Sequence, residues 1–227
     1  DKHGIHPLVF DTRTEPATFE RPSDIEVIWQ VEEWPREVLA KTKQVIVSPG
    51  LPLHHPLVRP ARAAGVSIIS DIDLFMSRVD VPVIGVTGTN GKSTVVLLVG
   101  HLLQASGLRC PVGGNLGVPA LALLDSPADV YVLELSSFQL AHSAHLALAS
   151  AGVLNITDDH RDWHGDLDSY RRAKERIYVN AEYSVGGRDC ARSVSVRVDM
   201  SASGANRWGV ASLNEAQWLI CDDTPLI

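Results

Sequence analysis

The sequence has few cysteines, no excess of basic residues and no long apolar stretch. Its three cysteines, Cys110, Cys190 and Cys221, are odd in number and far apart, which excludes a disulfide framework and fits a reducing cytoplasm. The formal net charge of −7 offers no basic surface to nucleic acid or to an anionic membrane. No apolar run approaches the roughly 20 residues that a membrane helix needs. We therefore expect a cytoplasmic globular protein that binds neither nucleic acid nor membrane.

What the sequence does contain is a strand, a glycine-rich turn and a helix in direct succession. The apolar run Val83-Ile-Gly-Val86 is typical of a buried strand, and Gly88-Thr-Asn-Gly91 follows as a tight turn. Lys92 and Ser93 then open an apolar helix predicted over residues 93–106. This order is typical of a phosphate-binding loop, in which backbone N–H groups and the positive helix end face the phosphates. Lys92 would add a point charge, and the Ser93 hydroxyl could hold Mg²⁺.

Strand candidates alternate with helix candidates along the rest of the chain, which predicts an α/β fold with parallel sheets. A short polar link before Val83 predicts a domain boundary near residue 80. We expect a Rossmann-like N-terminal domain over residues 1–80, without the usual first strand, turn and helix. A phosphate-loop ATPase-like α/β domain would follow over residues 81–227.

Further elements of the second domain follow from local patterns. Because the predicted helix over 93–106 is apolar nearly all round, we expect it to be buried on more than one side. The other predicted elements are helices over 118–124, 137–145 and 167–180, strands over 130–133, 151–155, 193–198 and 216–221, and a loop over 201–206.

Polar side chains follow successive predicted strands. Because the carboxyl ends of parallel strands meet at one edge of the sheet, these side chains can converge there. Glu134 directly follows a strand, where phosphate-loop enzymes hold an acidic Mg²⁺ ligand; capping of the next helix is the alternative. For Ser136 and Ser137, capping of that helix is likewise the alternative to a role in the site. The set at this edge comprises Lys92, Ser93, Asn115, Glu134, Asp159 and His160.

Two further residues have competing interpretations. His160 follows two acidic residues, so a role in a nucleotide site and a structural role both stay open. Lys174 lies in a predicted helix, where periodicity alone indicates a solvated lysine. His164 and the pair His54 and His55 are interpreted as surface or packing residues.

Five motifs resemble those of the Mur ligase family in their sequences, their order and their spacing. Members of this family join amino acids to peptidoglycan precursors. The resemblance covers nearly the whole chain, more weakly after Ala181. With Asp11-Thr-Arg13 and Ser48-Pro-Gly50 upstream, the sequence is most similar to the members that add D-glutamate. The motifs are Thr87-Gly-Thr-Asn-Gly-Lys-Ser-Thr94, Gly113-Gly-Asn-Leu-Gly117, Leu133-Glu-Leu-Ser-Ser-Phe-Gln-Leu140, Asn155-Ile-Thr-Asp-Asp-His160 and Tyr170-Arg-Arg-Ala-Lys-Glu-Arg-Ile-Tyr178.

The resemblance implies ATP-driven amide formation by a cytoplasmic monomer. The carboxylate of UDP-N-acetylmuramoyl-L-alanine would take the γ-phosphoryl group, and the amine of D-glutamate would then displace phosphate from the acyl phosphate. The implied ATP-binding residues are Gly88, Thr89, Asn90, Gly91, Lys92, Ser93 and Thr94. The implied UDP-sugar contacts are Asp11, Thr12, Arg13, Ser48, Pro49, Gly50, Asn115, Ser136 and His160.

The resemblance also implies two Mg²⁺ sites. Ser93 and Glu134 would serve one of them. His160 and Lys174 would serve the other, with Lys174 as its CO₂ adduct, because a carbamate converts a cation into the oxygen ligand that Mg²⁺ prefers. The implied catalytic residues are Lys92, Glu134, His160 and Lys174.

Both ends of this sequence differ from those of the family members. The family's first strand and glycine loop would precede Asp1, and its adenine-contacting stretch and C-terminal amino-acid-binding domain would follow Ile227. We therefore expect an incomplete ligase that cannot complete the reaction alone. Three alternatives stay open: another Mur-type or folate-type amino-acid ligase, a phosphate-loop kinase or GTPase, and a non-catalytic nucleotide-binding fragment. The uridine-site residues before residue 80 favour a UDP-sugar over a folate.

Overall fold

The chain divides into two compact units in a computed structural model. The smaller unit comprises Asp1–Val45 with Leu51–Ile68, and the larger comprises Ile46–Gly50 with Ile69–Ile227. The domain boundary near residue 80 remains a prediction. The structure describes residues 8–14, 26–52, 54–187, 190, 194–198, 207–213, 216–221 and 224–225.

The smaller unit is built on short strands and two short helices. Strands β1 and β2 pair in parallel, with Val9 opposite Val27. Phe10 at the end of β1 meets the Trp34 ring edge-on, with the ring centroids 4.8 Å apart. A second two-stranded sheet joins β3 and β4, whose last residues, Ile46 and Ile69, are assigned to the larger unit. The elements are β1 (Leu8–Phe10), β2 (Glu26–Ile28), α1 (Arg36–Lys41), β3 (Gln44–Ile46), α2 (Val58–Ala63) and β4 (Ser67–Ile69).

Within the described residues, the larger unit contains a sheet of nine strands. Their order is β13-β12-β11-β10-β9-β8-β5-β7-β6. Neighbours from β11 to β6 are parallel, whereas β12 pairs antiparallel with both β11 and β13. The predicted α/β class with parallel sheets is confirmed. The strands are β5 (Val83–Thr87), β6 (Val112–Gly114), β7 (Tyr131–Glu134), β8 (Ser150–Val153), β9 (Tyr183–Gly186), β10 (Val196–Val198), β11 (Arg207–Leu213), β12 (Ala216–Cys221) and β13 (Thr224–Pro225).

Helices cover the two faces of this sheet. One core packs α3, α5 and α7 against the sheet, and a smaller core packs α4 against the opposite face. None of the helices in the described part of the chain has both the length and the apolar character needed to cross a membrane. The helices are α3 (Asp71–Met76), α4 (Lys92–Ala105), α5 (Ser137–His142), α6 (Arg161–His164) and α7 (Leu167–Glu175).

Helix α4 differs from the predicted helix over 93–106, because it is buried on a single side. Val96 is fully buried against the sheet. Leu97, Leu98 and Leu102 on the other side are each more than half exposed. A helix that is apolar all round could be buried on several sides. Among the described residues, however, α4 packs on one side only, against the sheet. The prediction of burial on more than one side is therefore wrong for the residues that the structure describes.

Three predicted helices also end or wind differently. The helix predicted over 118–124 is a 3₁₀ helix, Ala120–Asp125. The helix predicted over 137–145 stops at His142, because the carboxylate of Asp73 accepts the N–H groups of Ala144 and His145 at 2.8 Å each and holds the chain away from the helix axis. The helix predicted over 167–180 ends at Glu175 and continues as a 3₁₀ turn, Arg176–Tyr178.

The predicted elements near the end of the sequence are only partly described. The strand over 216–221 is confirmed as β12, and the strand over 193–198 is observed from residue 196. The predicted loop over 201–206 lies outside the described residues.

Candidate active site

The predicted phosphate loop lies between β5 and α4, at the carboxyl edge of the parallel strands. Gly91 is the N-cap of α4, with a left-handed φ of +79° that favours glycine. It offers no side chain to cap the helix. Because the first N–H groups of a helix have no partner within the helix, an anion can satisfy them. Lys92 lies in the first turn, and its Nζ donates to the backbone oxygen of Thr89 at 3.0 Å.

Glu134, at the end of β7, is buried and held by two side chains. Ser93 Oγ donates to one carboxylate oxygen at 2.7 Å, and Asn115 Nδ2 donates to the other at 2.9 Å. The N–H of Asn115 also donates to the backbone oxygen of Glu134 at 2.8 Å. The two residues expected to share Mg²⁺ are therefore in direct contact. The alternative role for Glu134, a cap of the next helix, is not observed.

Ser136 provides that cap instead. Its Oγ accepts the N–H of Gln139 at 3.1 Å, and the Gln139 side chain accepts the N–H of Ser136 at 3.0 Å. This reciprocal pair is a capping box at the start of α5. The capping interpretation of Ser136 is confirmed, and its contact with a substrate remains a prediction.

Lys174 is the largest departure from the sequence-based interpretation. It is 2% exposed, so the prediction of a solvated lysine is wrong. Its Nζ donates to the backbone oxygen of Gly88 at 2.8 Å and lies 4.7 Å from the centroid of the Tyr170 ring. Tyr170, Ala173 and Ile177 are also buried. Lys174 continues this stripe at helical spacing from Tyr170, which is the pattern that could have revealed its burial.

Burial changes the acid–base chemistry of Lys174. Desolvation, followed by the positive charge of Lys92, lowers its pKa from the ordinary 10.5 to about 7. The carboxylates of Asp159 and Glu134 act in the opposite direction. Near neutral pH, a large fraction of this amine is therefore unprotonated, which is the form that can react with CO₂.

His160 lies on the loop between β8 and α6, in the left-handed conformation with φ +51°. Its side chain is 44% exposed, and its Nε2 lies 3.6 Å from Asp159 Oδ2. Its ring centroid is 4.8 Å from that of Phe138 and 6.0 Å from that of Tyr170. Because Tyr170 also lies under Lys174, the structure brings His160 and Lys174 to the same region of the sheet edge.

An aromatic group that was not among the predicted site residues supports this loop. His164 stacks on Phe138, at 5.6 Å between ring centroids, and its Nε2 lies 3.0 Å from Ser137 Oγ. Burial, and then the positive charges of His160 and Lys174, lower the pKa of His164 to about 4. The ring is therefore neutral at physiological pH, in agreement with the predicted packing role. Phe138 lies within the Leu133–Leu140 motif, so its position was available as a signal.

The residues expected at the uridine end lie after β1 and after β3. Arg13 Nη2 forms an ion pair with Asp11 Oδ2 at 2.7 Å, and this hydrogen-bonded guanidinium lowers the pKa of Asp11. Asp11, Thr12 and Arg13 belong to the smaller unit, and residues 48–50 belong to the larger. Their contacts with a UDP-sugar remain predictions.

The donor set around Glu134 fits Mg²⁺. Among the described residues, no group of three or more His, Cys, Asp or Glu side chains is placed to share a metal ion. Mg²⁺ commonly uses one or two carboxylates and completes its octahedron with substrate phosphates and water. The paired hydroxyl and carboxylate oxygens of Ser93 and Glu134 meet that requirement beside the phosphate loop.

The fold and this sheet edge define an α/β protein of the phosphate-loop class. Residues 86–222 match the model of the Mur ligase middle domain, and residues 1–70 match that of the Mur ligase MurD-like N-terminal domain. The chain belongs to the Mur ligase family.

Curated relatives and a solved structure agree with this assignment. The chain is 41% identical to the UDP-N-acetylmuramoylalanine--D-glutamate ligase of Sodalis glossinidius (strain morsitans), covering 100% of this chain and 53% of that protein. It is 39% identical to the enzyme of the same name from Vibrio vulnificus (strain YJ016), covering 96% and 51%. The chain thus spans about half the length of these relatives.

The solved structure shows similarity of fold. It is the UDP-N-acetylmuramate:L-alanyl-gamma-D-glutamyl-meso-diaminopimelate ligase from Neisseria meningitides, with a TM-score of 0.55 and 17% identity. The match covers 99% of this chain and 79% of that one.

Proposed function

We propose that this protein adds D-glutamate to UDP-N-acetylmuramoyl-L-alanine at the expense of ATP, in the synthesis of peptidoglycan precursors. One observation carries the proposal: the phosphate loop, the Ser93–Glu134 pair and the buried Lys174 meet at one edge of the sheet. The identity of about 40% to curated ligases of that specificity supports the choice of substrates. A cytoplasmic location and a monomeric state are part of the same proposal.

The chemistry consists of two displacements. A carboxylate oxygen of the alanyl group forms a bond to the γ-phosphorus, and the bond from that phosphorus to the β–γ bridging oxygen breaks, releasing ADP. The amine nitrogen of D-glutamate then forms a bond to the acyl carbon, phosphate leaves, and the nitrogen loses a proton. The first-turn N–H groups of α4 and the ammonium of Lys92 would hold the phosphates in line for the first step.

Ser93 and Glu134 would hold one Mg²⁺, and His160 with carbamylated Lys174 would hold a second. Bound Mg²⁺ supplies charge neutralisation at the transferred phosphoryl group. Lys174 is suited to the modification because its pKa is lowered to about 7. Its neutral nitrogen would form a bond to the carbon of CO₂ and lose a proton. Asn115 would hold the Glu134 carboxylate in place, in addition to its expected contact with the UDP-sugar.

ADP release tests the proposal. It is measured on the full-length protein, meaning a protein of the relatives' length that contains this chain, because the chain spans about half of those relatives and is expected to be inactive alone. We expect release that requires ATP, UDP-N-acetylmuramoyl-L-alanine and D-glutamate together, and that falls to a small fraction with L-glutamate. Amide formation with a different amino acid, or on a folate acceptor, would assign the protein to another branch of the family. Phosphate transfer without any amino acid would indicate a kinase or GTPase.

A pair of matched variants links the activity to the site. Glu134→Gln replaces the buried carboxylate by an amide, and Asp125→Asn makes the same change at an exposed position. We expect the first to reduce kcat by about a hundredfold or more, and the second to leave kcat unchanged. Equal activity of the two variants would contradict the role of Glu134.

A further inference from the structure

The side chain of Asn155, a residue without a role in the proposed chemistry, forms two hydrogen bonds with the backbone of the phosphate loop. Asn155 follows β8, whose neighbour in the sheet is β5. Its Oδ1 accepts the backbone N–H of Asn90 at 2.9 Å, and its Nδ2 donates to the backbone oxygen of Asn90 at 3.0 Å. Its own backbone oxygen accepts the N–H of Thr89 at 2.9 Å. The Asn155 side chain therefore binds both the backbone N–H and the backbone oxygen of Asn90.

The orientation of this amide is determined by the backbone that it meets. A peptide N–H can only donate and a peptide oxygen can only accept, so the side-chain oxygen must face Asn90 N and the side-chain nitrogen must face Asn90 O. Asparagine is the side chain that carries both complementary groups at this length. Aspartate offers no donor, and leucine, of similar shape, offers neither group.

Two neighbouring loop residues are held from the same side. Thr89 Oγ1 accepts the N–H of Thr157 at 3.0 Å and lies 3.2 Å from the hydroxyl of the buried Tyr170. A Cβ added at Gly88 would lie 3.1 Å from Leu154 Cβ, which leaves no room for a larger residue without movement. The loop therefore lies directly against the segment that follows β8.

This arrangement has a consequence for phosphate binding. Asn155 binds both backbone polar groups of Asn90 and the N–H of Thr89, so from Thr89 onward the N–H groups that remain for an anion are those from Gly91 into the first turn of α4. The Asn90 oxygen is also kept turned toward Asn155. A carbonyl oxygen released from that contact could rotate toward the phosphates and repel them.

We propose that Asn155 is a positioning residue, which sets the affinity for the triphosphate of ATP by orienting the Asn90 peptide and does not itself touch the ligand. The inference rests on the proposed function only in taking the ligand to be ATP. Lys92 depends on the same arrangement, because its Nζ donates to the backbone oxygen of Thr89, whose N–H is bound by Asn155.

The test compares Asn155→Leu with Thr157→Val in the full-length protein, because the KM measurements require turnover. The first keeps the size of the side chain and removes both hydrogen bonds. The second is a change of similar shape in the same segment that keeps the backbone contact with Thr89. Binding of Mg·ATP is measured directly by calorimetry, and the KM values for ATP and for the UDP-sugar are measured separately.

We expect Asn155→Leu to weaken Mg·ATP binding and to raise the KM for ATP by about tenfold, the effect of losing two modest hydrogen bonds. The KM for the UDP-sugar should stay unchanged, and Thr157→Val should match the wild type. Asn155→Ser, a smaller polar change, should weaken nucleotide binding similarly and serves if the leucine variant does not fold.

Unchanged Mg·ATP binding in the Asn155 variants would overturn the inference, as would equal losses for both substrates. The proposed function fails separately, when the full-length wild-type protein binds Mg·ATP but forms no amide with D-glutamate. In that case, the binding comparison still decides the role of Asn155.

Discussion

The buried Lys174 predicts an unusual dependence of stability on pH. Its pKa is lowered from 10.5 to about 7 in the folded chain, mainly by burial. Between these two values the unfolded chain binds the proton and the folded chain does not. The free energy of unfolding therefore rises with pH through that window, and the charged lysine destabilises the fold below it. Replacement by methionine, Lys174→Met, keeps an unbranched side chain of similar length and removes the titration.

The size of this pH dependence follows from the lowering of the pKa of Lys174. Each pKa unit corresponds to ~1.4 kcal/mol, and integration between about pH 6 and about pH 9 gives a gain of about 3 kcal/mol for the wild type relative to Lys174→Met. Groups that do not interact with Lys174 titrate in both proteins and cancel in this difference, and His164, whose pKa responds to Lys174, titrates at about 4, below this window. The full penalty of the buried ammonium, about 5 kcal/mol, is reached only below the folded pKa.

Urea unfolding followed by circular dichroism measures this difference at a series of pH values. Buffers are freed of CO₂ so that the lysine stays an amine. Lys43→Met, at an exposed lysine, is the matched control and should show no such slope relative to the wild type. If the difference between the wild type and Lys174→Met does not change with pH, Lys174 has an ordinary pKa and the argument for its neutral form fails.

Two further predictions concern the same site. Protein equilibrated with ¹³C-bicarbonate should show a carbamate signal by NMR that is absent from Lys174→Met; a wild-type spectrum without that signal at alkaline pH would contradict the proposed adduct. Gly114→Ala should destabilise the fold by roughly 2–5 kcal/mol in urea unfolding, because its φ of +99° strains any side chain and its Cβ would collide with the backbone oxygen of Glu134. Gly107→Ala, with φ +92° and open space around it, should lose only about 1 kcal/mol, and equal losses would argue against the collision.

Local patterns were sufficient for the phosphate loop, because its strand, turn and helix are contiguous in the sequence. The contact of Ser93 with Glu134 could be anticipated only as convergence at a sheet edge, since β5 and β7 become neighbours through pairing that no local pattern encodes. The solvated position predicted for Lys174 from periodicity is wrong, because Lys174 follows Tyr170 by one helical turn and shares its buried stripe. Asn155 could not have been found in this way, because its partner Asn90 lies 65 residues away.

The surroundings of Lys174 are suited to both the amine and the proposed carbamate. The amine donates to the backbone oxygen of Gly88 at 2.8 Å and lies 3.4 Å from Thr87 Oγ1. A carbamate keeps one N–H, which can still donate to Gly88, and its new oxygens can accept the Thr87 hydroxyl, which reverses its role. The positive charge of Lys92, which lowers the pKa of the amine, would stabilise the anionic adduct. Of the causes that shift the pKa of the amine, the Lys92 charge therefore favours the anionic adduct, whereas burial and the carboxylates of Asp159 and Glu134 oppose it. The charge of Mg²⁺ at the proposed second site would offset that opposition.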